Sequence, residues 1–188
     1  MKRAALLAFV LLAVTGCGKA AKHTQSTGVG DDTCAPLMAG SLAKSSPTKP
    51  SQTMLLTDLK VDSEPCADRV ILTFRTAGTD EPGFRVEYQP AAEAQTEDGS
   101  GKRLAIAGNV FLVVRLEPAA TADISSSKLE RTYTGPRTIT PAGMHYVREV
   151  TKTGDFEAVL RWTIGLSEKR PFKVTTSGSP PRLTIEIR

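Results

Sequence analysis

The stretch "DFEAVLRWTIGL", residues 155–166, alternates apolar and polar side chains over most of its length. One set of alternate positions holds Phe156, Ala158, Leu160, Trp162, Ile164 and Leu166, and the other holds Glu157, Val159, Arg161 and Thr163. A helix would scatter these apolar residues around its axis, whereas a strand gathers them on one face. The pattern therefore predicts a β-strand whose apolar face, with Trp162 and Phe156, packs in a core. An aromatic platform for sugars is the alternative role for these two rings.

The same period of two continues through the chain after Gln52. Further strands are predicted at 68–75 ("DRVILTFR"), 54–61, 84–89, 104–107, 110–116, 145–152, 172–176 and 183–187. Turn-forming stretches separate them, including "TAGTDEPG", "EDGSGK", "TGD" at 153–155 and "SGSPP". Residues 117–127 lack alternation and are expected to form a long loop or one helical turn. Many short strands with Gly and Pro turns predict an all-β fold, a single antiparallel β-sandwich over residues 53–188.

The N-terminus has the features of an export signal. Lys2 and Arg3 precede an uncharged run from Ala4 to Val14, which is shorter than the roughly 20 apolar residues that span a bilayer. The residues that follow, Val14-Thr15-Gly16-Cys17, resemble the lipobox of bacterial lipoproteins. This resemblance implies that residues 1–16 are a lipoprotein signal peptide and that Cys17 carries lipid. The alternative is an ordinary signal peptide with a cysteine there by chance.

Two further cysteines, Cys34 and Cys66, remain once Cys17 is assigned to lipid. In an exported protein they are expected to form a disulfide, although two free thiols are the alternative. No cysteine or histidine lies near either at ligand spacing, so a metal site is not expected. Residues 17–52 are rich in Lys, Ser, Thr, Gly and Pro, which predicts a flexible tether between the lipid and the domain.

The charge balance argues against nucleic acid as a partner. The 188 residues include 24 Lys and Arg against 20 Asp and Glu, and removal of Lys2 and Arg3 with the signal leaves 22 against 20. No concentrated basic patch is visible in the sequence.

The export signal and the lipobox together predict where the protein lies. They predict a protein outside the cytoplasm, lipid-anchored to a bacterial membrane, on the outer face of the plasma membrane if the cell is Gram-positive.

Several segments, in their order and spacing, resemble the AMIN-like domain of bacterial envelope lipoproteins. They are "DRVILTFR" (68–75), "YTGPR" (133–137), "VREVTKTGDFEAVLRWTIGL" (147–166), "PFKV" (171–174) and "PRLTIEIR" (181–188). The resemblance covers about residues 53–188. It implies a β-sandwich related to AMIN domains, which bind peptidoglycan and localise envelope amidases and secretins. It carries over no ligand residues, so any site has to be argued from chemistry.

Catalytic arrangements are poorly supported by the residue types present. The only histidines are His23, in the tether, and His145, at the start of a strand, so a nucleophile lacks an obvious base. Asp155 and Glu157 could act as a glycosidase pair, but a turn residue and a solvated strand residue explain them as well. We expect a protein that is not an enzyme and needs no cofactor, with a hydrolase as the least favoured alternative.

Candidate ligand-binding residues are Tyr133 and Arg137, on either side of a Gly-Pro turn, together with Arg148 and Arg161 on polar strand faces. Arginine grips carboxylate and phosphate with paired hydrogen bonds, and a cell wall offers both groups. Interleaved glutamates leave open the alternative of ordinary cross-strand ion pairs. The sequence predicts a binding module for peptidoglycan or another wall polymer. The alternative is a module that recruits envelope proteins through an exposed strand edge.

Overall fold

The computed structural model describes Cys34, Leu37, Met38, Gly78 and residues 40–76, 80–125 and 127–188. The predicted signal peptide (1–16) and Cys17, the predicted lipidation site, lie outside these described residues. Among the helices of the described residues, none is long and apolar enough to cross a membrane.

The described chain is built almost entirely of β-strands. They are β1 (Lys44–Ser45), β2 (Met54–Glu64), β3 (Ala67–Arg75), β4 (Phe84–Gln89), β5 (Val110–Leu116), β6 (Ala119–Ala120), β7 (Ala122–Asp123), β8 (Glu130–Arg131), β9 (Thr138–Ile139), β10 (Val147–Phe156), β11 (Val159–Leu166), β12 (Phe172–Gly178) and β13 (Pro181–Ile187). One short helix, α1 (Ala91–Ala94), lies between β4 and β5. The prediction of an all-β fold is confirmed.

The long strands form two sheets. The first, sheet A, has the order β1-β4-β5-β11-β10-β9, and the second, sheet B, has the order β12-β13-β3-β2-β6. Neighbouring strands are antiparallel except for β2 and β6. β7 and β8 pair as a separate two-stranded ribbon. One hydrophobic cluster contains buried residues of both sheets, as in a sandwich.

The core confirms most of the face assignments in the strand predictions at 68–75 and 155–166, with Phe156 and Ala158 as the exceptions. Val70, Leu72 and Phe74 of β3 are buried in it. Trp162 of β11 is buried too, and its ring meets that of Tyr133 edge to face at 5.6 Å between centroids. This geometry is a favourable one for two aromatic rings. Core packing, rather than a sugar platform, is therefore the role of Trp162.

The prediction of one continuous strand over 155–166 is wrong, because the stretch turns back on itself. β10 ends at Phe156 and β11 begins at Val159, with Phe156 paired to Val159 across the turn. Glu157 and Ala158 have φ of 49° and 58°, the left-handed backbone that a two-residue hairpin turn requires. The turn lies two residues beyond the predicted "TGD", and it carries Phe156 out of the core.

Residues 90–109 cover the outer face of sheet A, which the sequence predicts to be solvated. Ala94 and Ile106 of this segment pack with Phe111 and Val113 of β5 in a second, smaller hydrophobic cluster. Residues 104–107 are not a strand, which corrects that prediction; their role is to fill this cover. The segment 117–127 contains the short strands β6 and β7 instead of a helical turn.

The N-terminal segment is attached to the domain earlier than expected. β1 pairs with β4, and the amide of Phe172 donates to the Gly40 carbonyl at 3.0 Å. Cys34 and Cys66 form the predicted disulfide, with 5.4 Å between their Cα atoms. The part of the predicted tether that the structure describes from Gly40 onward thus lies against the sheets, because a backbone beside an edge strand can complete its hydrogen bonds.

The sandwich has two distinct ends, called the disulfide end and the groove end. The disulfide end contains the β2–β3 turn with Cys66 and the first residues of β10 and β12. The groove end contains the tips of the β10–β11 and β12–β13 hairpins and the first residues of β2 and β4. A strand rises about 3.3 Å per residue, so the ten residues of β10 place the two ends roughly 30 Å apart.

Candidate functional site

A groove of about 920 Å³ opens at the groove end of the sandwich. The first residues of β2, the last residue of β3, the β10–β11 hairpin tip and the β6–β7 region line it. The lining residues used below are Ser51, Leu55, Arg75, Asp123, Ile124, Ser125, Asp155, Phe156 and Ala158. Its size falls within the range typical of small-ligand sites.

The β10–β11 hairpin holds Phe156 at the rim of the groove. Its tip is fixed by a hydrogen bond in which the Ala119 amide donates to the Ala158 carbonyl at 2.7 Å. The Phe156 side chain is nevertheless 64% exposed. An exposed aromatic ring on a fixed backbone can form a contact surface when another exposed apolar side chain lies beside it.

A second exposed apolar side chain belongs to the segment after β7. Ile124 is 77% exposed and also lines the groove. The neighbouring Ser125 amide donates to the Asp123 carboxylate at 2.9 Å, which closes a local turn. The groove therefore has an apolar side chain on each of two independently anchored segments.

Most charged side chains of the groove form local ion pairs. The Arg75 guanidinium lies 3.6 Å from the Asp123 carboxylate and 3.2 Å from that of Glu130. Lys152 Nζ lies 3.0 Å from the Asp155 carboxylate, which also accepts a hydrogen bond from the Thr121 hydroxyl. The groove thus combines apolar surface with local ion pairs, and Glu157 adds a further carboxylate to its lining.

Hydrogen bonds keep the acidic groups of the rim ionised. The pKa of Asp123 is lowered, first by hydrogen bonds from Ser125 and then by the Arg75 charge. The pKa of Asp80 is lowered by the hydroxyl and amide of Ser51, each 2.8 Å from the same carboxylate oxygen. These carboxylates act as acceptors for fixed donors.

A smaller cleft of about 390 Å³ adjoins the groove and shares Asp155 and Phe156 with it. Arg137 lines this cleft, with its guanidinium bonded to the Glu97 carboxylate. The pKa of Glu97 is lowered mainly by the Ser100 hydroxyl and then by Arg137. Arg137 is the one residue of the four predicted ligand-binding candidates that lines either cavity.

Tyr133 lies on the other side of the Gly-Pro turn from Arg137, as predicted, but it faces the core. Its ring is buried against Trp162, and its hydroxyl donates to the Pro136 carbonyl at 3.0 Å. Burial, followed by the nearby Asp58 charge, raises the pKa of the phenol. The structure therefore separates Tyr133 from the surface that Arg137 reaches.

Arg161 and Arg148 lie apart from each other and from the groove. Arg161 is largely buried under the 90–109 cover and donates to the carboxylate of Asp98 at 2.8 Å and to the side-chain oxygen of Gln89 at 3.0 Å. It also donates to the Thr96 and Glu93 carbonyls. Arg148 is exposed at the disulfide end and donates to the Met144 and His145 carbonyls. The guanidinium of Arg161 is thus saturated by the fold itself.

Two side chains considered as catalytic candidates, His145 and Asp155, make other contacts in the structure. The imidazole of His145 lies at the disulfide end, with Nε2 3.0 Å from the Glu64 carbonyl. Asp155 is occupied by Lys152 and Thr121, as above. Within the described part of the chain, no three His, Cys, Asp or Glu side chains are grouped to hold a metal ion.

The sequence identifies some groove residues but not the groove. Phe156 is assigned to the core by its alternation with Trp162, because the turn at Glu157 and Ala158 contains neither Gly nor Asn. Ile124 stands alone in a polar stretch, and an isolated apolar residue is uninformative. An exposed apolar residue indicates a binding surface only when a second exposed apolar residue lies beside it in the folded structure.

Comparison with known proteins bears on the whole sandwich. Residues 54–188 match the family description of the AMIN-like domain. The chain belongs to the AMIN-like domain family. AMIN-like domains are binding domains associated with the cell wall, and they lie outside the cytoplasm. No curated protein and no solved structure shows a significant match to the chain.

The match begins at Met54, the first residue of β2, and ends at the last residue of the chain. It therefore includes both sheets except β1, together with most of the groove lining. The resemblance found in the five sequence segments is confirmed at the level of the family.

Proposed function

We propose that this AMIN-like domain protein is a lipid-anchored, non-catalytic envelope protein that binds peptidoglycan or another wall polymer through the groove. The observation that carries the proposal is Phe156, exposed on a fixed hairpin at the rim of a 920 Å³ groove. An aromatic face covers the apolar face of a sugar ring, and the ion pairs beside it suit a ligand that carries both hydroxyls and charges.

Arg75 is the residue best placed to select among wall polymers. Its two ion-pair partners, Asp123 and Glu130, are on the β7–β8 ribbon. A carboxylate of a peptide stem can replace one of them, because the guanidinium fork holds two oxygens at once. The sugar would then lie against Phe156 while the stem carboxylate meets Arg75.

Retention on purified sacculi tests this function. The detergent-solubilised full chain should be retained saturably, and Phe156→Ala should reduce retention several-fold, since it removes the exposed aromatic ring of the rim. Leu42→Ala is the matched control, because Leu42 is also a highly exposed apolar side chain, 82% exposed at the other end of the sandwich. The control should be retained like the wild-type chain.

Two outcomes contradict the proposal. Absence of retention at low salt removes wall binding altogether. Equal loss of retention for Phe156→Ala and Leu42→Ala shows that adhesion is nonspecific and that the groove is not the site. Charge reversal of the exposed Arg148 should leave retention unchanged, since Arg148 does not line the groove.

A second candidate function, recruitment of envelope proteins, is favoured by the position of β12. This strand is an outer strand of sheet B and is seven residues long. The Phe172 amide points away from β13 to Gly40, so by alternation the Val174 amide also faces outward. An extended segment of another protein can add to such an edge.

Val174→Pro tests the second candidate. Proline removes the outward donor while keeping the amides that pair with β13, so it should abolish capture of a strand-adding partner and spare retention on sacculi. Capture of the same partner at wild-type level by Val174→Pro would exclude this edge.

A further inference from the structure

We propose that the disulfide end of the sandwich rests on the surface of an anionic bilayer. The contact consists of two exposed apolar side chains in the segment before β1 and three neighbouring cations. This inference rests on the proposed function only in assuming a membrane-attached N-terminus. It assigns a second surface, distinct from the groove.

The apolar part of this surface is Met38 and Leu42. They are 94% and 82% exposed, which makes them the two most exposed large hydrophobic side chains of the described residues. Their backbone is held at three places: the Cys34–Cys66 disulfide, the Phe172–Gly40 hydrogen bond, and the pairing of β1 with β4. Exposed apolar side chains on a fixed backbone lose little freedom on insertion, so they suit an interface with lipid.

The cationic part is Lys44, Arg148 and Lys169. Lys44 Nζ lies 3.1 Å from the Leu42 carbonyl and 4.0 Å from the centre of the Phe172 ring. Lys169 lies over the Tyr88 ring, and Arg148 bonds to backbone carbonyls. Within the described residues, none of the three forms an ion pair with a carboxylate.

Two acidic side chains near this end have cationic partners, whereas the buried Asp68 accepts from backbone amides. Glu168 pairs with Arg170, and Glu64 pairs with Arg69. At the groove, Arg75, Arg137 and Lys152 form ion pairs. The disulfide end combines exposed apolar side chains with three cations that form no ion pair among the described residues, and such a combination attracts anionic lipid headgroups.

The length of chain before the disulfide favours a bilayer as the occupant of this surface. Cys17 lies 17 positions before Cys34. For the tether that the sequence predicts, a chain of that length would span roughly 20 to 25 Å on average, which is less than the length of the sandwich. On that prediction, a lipid on Cys17 would hold the disulfide end closer to the membrane on average than the groove end.

Photocrosslinking in vesicles tests the proposal. The full chain carries p-benzoylphenylalanine in place of either Leu42 or Phe156 and is bound to vesicles of phosphatidylglycerol and phosphatidylcholine. We expect at least five-fold more lipid adducts from Leu42→p-benzoylphenylalanine than from Phe156→p-benzoylphenylalanine. The excess should fall in pure phosphatidylcholine and in the Lys44→Glu, Lys169→Glu double variant. Lys49→Glu, at the groove end, is the control and should leave the excess of lipid adducts at position 42 unchanged.

A second attachment separates this test from the fate of Cys17. A Cys17→Ser chain with an N-terminal hexahistidine tag is held on the same vesicles by a nickel-chelating lipid, and the two adduct yields are compared again. Mass spectrometry of the native chain reports acylation independently. If Cys17 is unmodified and the excess of adducts at position 42 remains, the lipid anchor is refuted and the docking surface is supported. Equal yields at the two positions, or an excess that is indifferent to anionic lipid, would overturn the docking surface.

Discussion

Asp68 joins the two sheets at the disulfide end through a single carboxylate. It is fully buried and accepts hydrogen bonds from three consecutive backbone amides, those of His145, Tyr146 and Val147, at 3.0, 2.7 and 2.8 Å. These amides precede and begin β10, whereas Asp68 is in β3. A buried carboxylate is tolerated when several donors replace its hydration.

Replacement of Asp68 by alanine should destabilise the fold severely. Asp68→Ala leaves three amides without acceptors in a buried site, and we expect a loss of about 3 kcal/mol or more in the free energy of unfolding. Urea denaturation measures it. Asp62→Ala, an exposed carboxylate on β2, is the control and should change the free energy by less than about 0.5 kcal/mol. Similar midpoints for the two variants would show that Asp68 does not hold the sheets together.

The carboxylate of Asp123 makes the groove wall sensitive to acid. Because its folded pKa lies below the ordinary value of 3.8, its contribution is complete above that value and is lost as pH falls through the folded pKa. We expect the Ser125 amide to exchange faster with solvent below about pH 4, measured by hydrogen exchange after normalising for intrinsic rates. Asp123→Asn should remove this acceleration. An acceleration that persists in Asp123→Asn would assign it to another group.

Single residues show where prediction from sequence stops. Trp162 is predictable as core because its neighbours on the strand face are all apolar. Tyr133 and Arg161 are not predictable, since a tyrosine beside a turn and an arginine on a polar face are ordinarily exposed. Their burial depends on segments distant in sequence: Trp162 covers Tyr133, and residues 90–109 enclose Arg161.

Among the elements, the β10–β11 hairpin combines a strained turn with a place at the rim of the groove. Glu157 and Ala158 adopt positive φ without being Gly or Asn, which costs free energy at each residue. The hairpin is otherwise regular near its tip, with Asp155 opposite Leu160 and Phe156 opposite Val159. The strain is borne where the chain must reverse to hold Phe156 at the groove.

Relief of this strain should stabilise the protein. The double variant Glu157→Asn, Ala158→Gly introduces the pair preferred in this turn, and we expect a gain of about 1 kcal/mol in the free energy of unfolding. Ala142→Gly, an exposed position without positive φ, is the control and should give no gain. Denaturant midpoints compare them. A loss of stability in the double variant would mean that Glu157 or Ala158 makes a contact more valuable than the strain it imposes.

The elements that sequence reasoning recovers are those with a clear period of two. β4 and β5 begin and end where predicted, and β2, β3, β12 and β13 differ only at their ends. The strands of two residues are missed because two residues show no period. The 90–109 cover is missed because its apolar residues, such as Ala94 and Ile106, are spaced irregularly. They pack on the face of a sheet and do not belong to a strand of their own.

For the whole molecule, the Cys34–Cys66 disulfide closes a loop that contains β1 and β2. With a sequence separation of 32, the loop-entropy relation gives about 3 to 4 kcal/mol of stabilisation. We expect the Cys34→Ser, Cys66→Ser double variant to lose stability in that range while keeping its strand content, measured by denaturation and circular dichroism. A helical spectrum would contradict the fold, and an unchanged midpoint would mean that the crosslink leaves the unfolded chain as free as before.

At the scale of the whole chain, some features are predictable from the sequence and others are not. The all-β sandwich and the disulfide follow from alternation and cysteine number, since both depend on residues that the pattern shows directly. The position of the groove depends on how two sheets and a ribbon meet, and no local pattern contains that information. The lipid on Cys17 lies outside the described residues and stays a prediction.

The placement of the disulfide at one end and the groove at the other has a mechanical consequence. A wall polymer that drags on the groove while the N-terminus is held would pull roughly along the strands. Ladder hydrogen bonds run across the strands, so such a load shears many of them together instead of unzipping them singly. The load also enters sheet B directly through the covalent link at Cys66, which spares the two-residue contact of β1 from being peeled away.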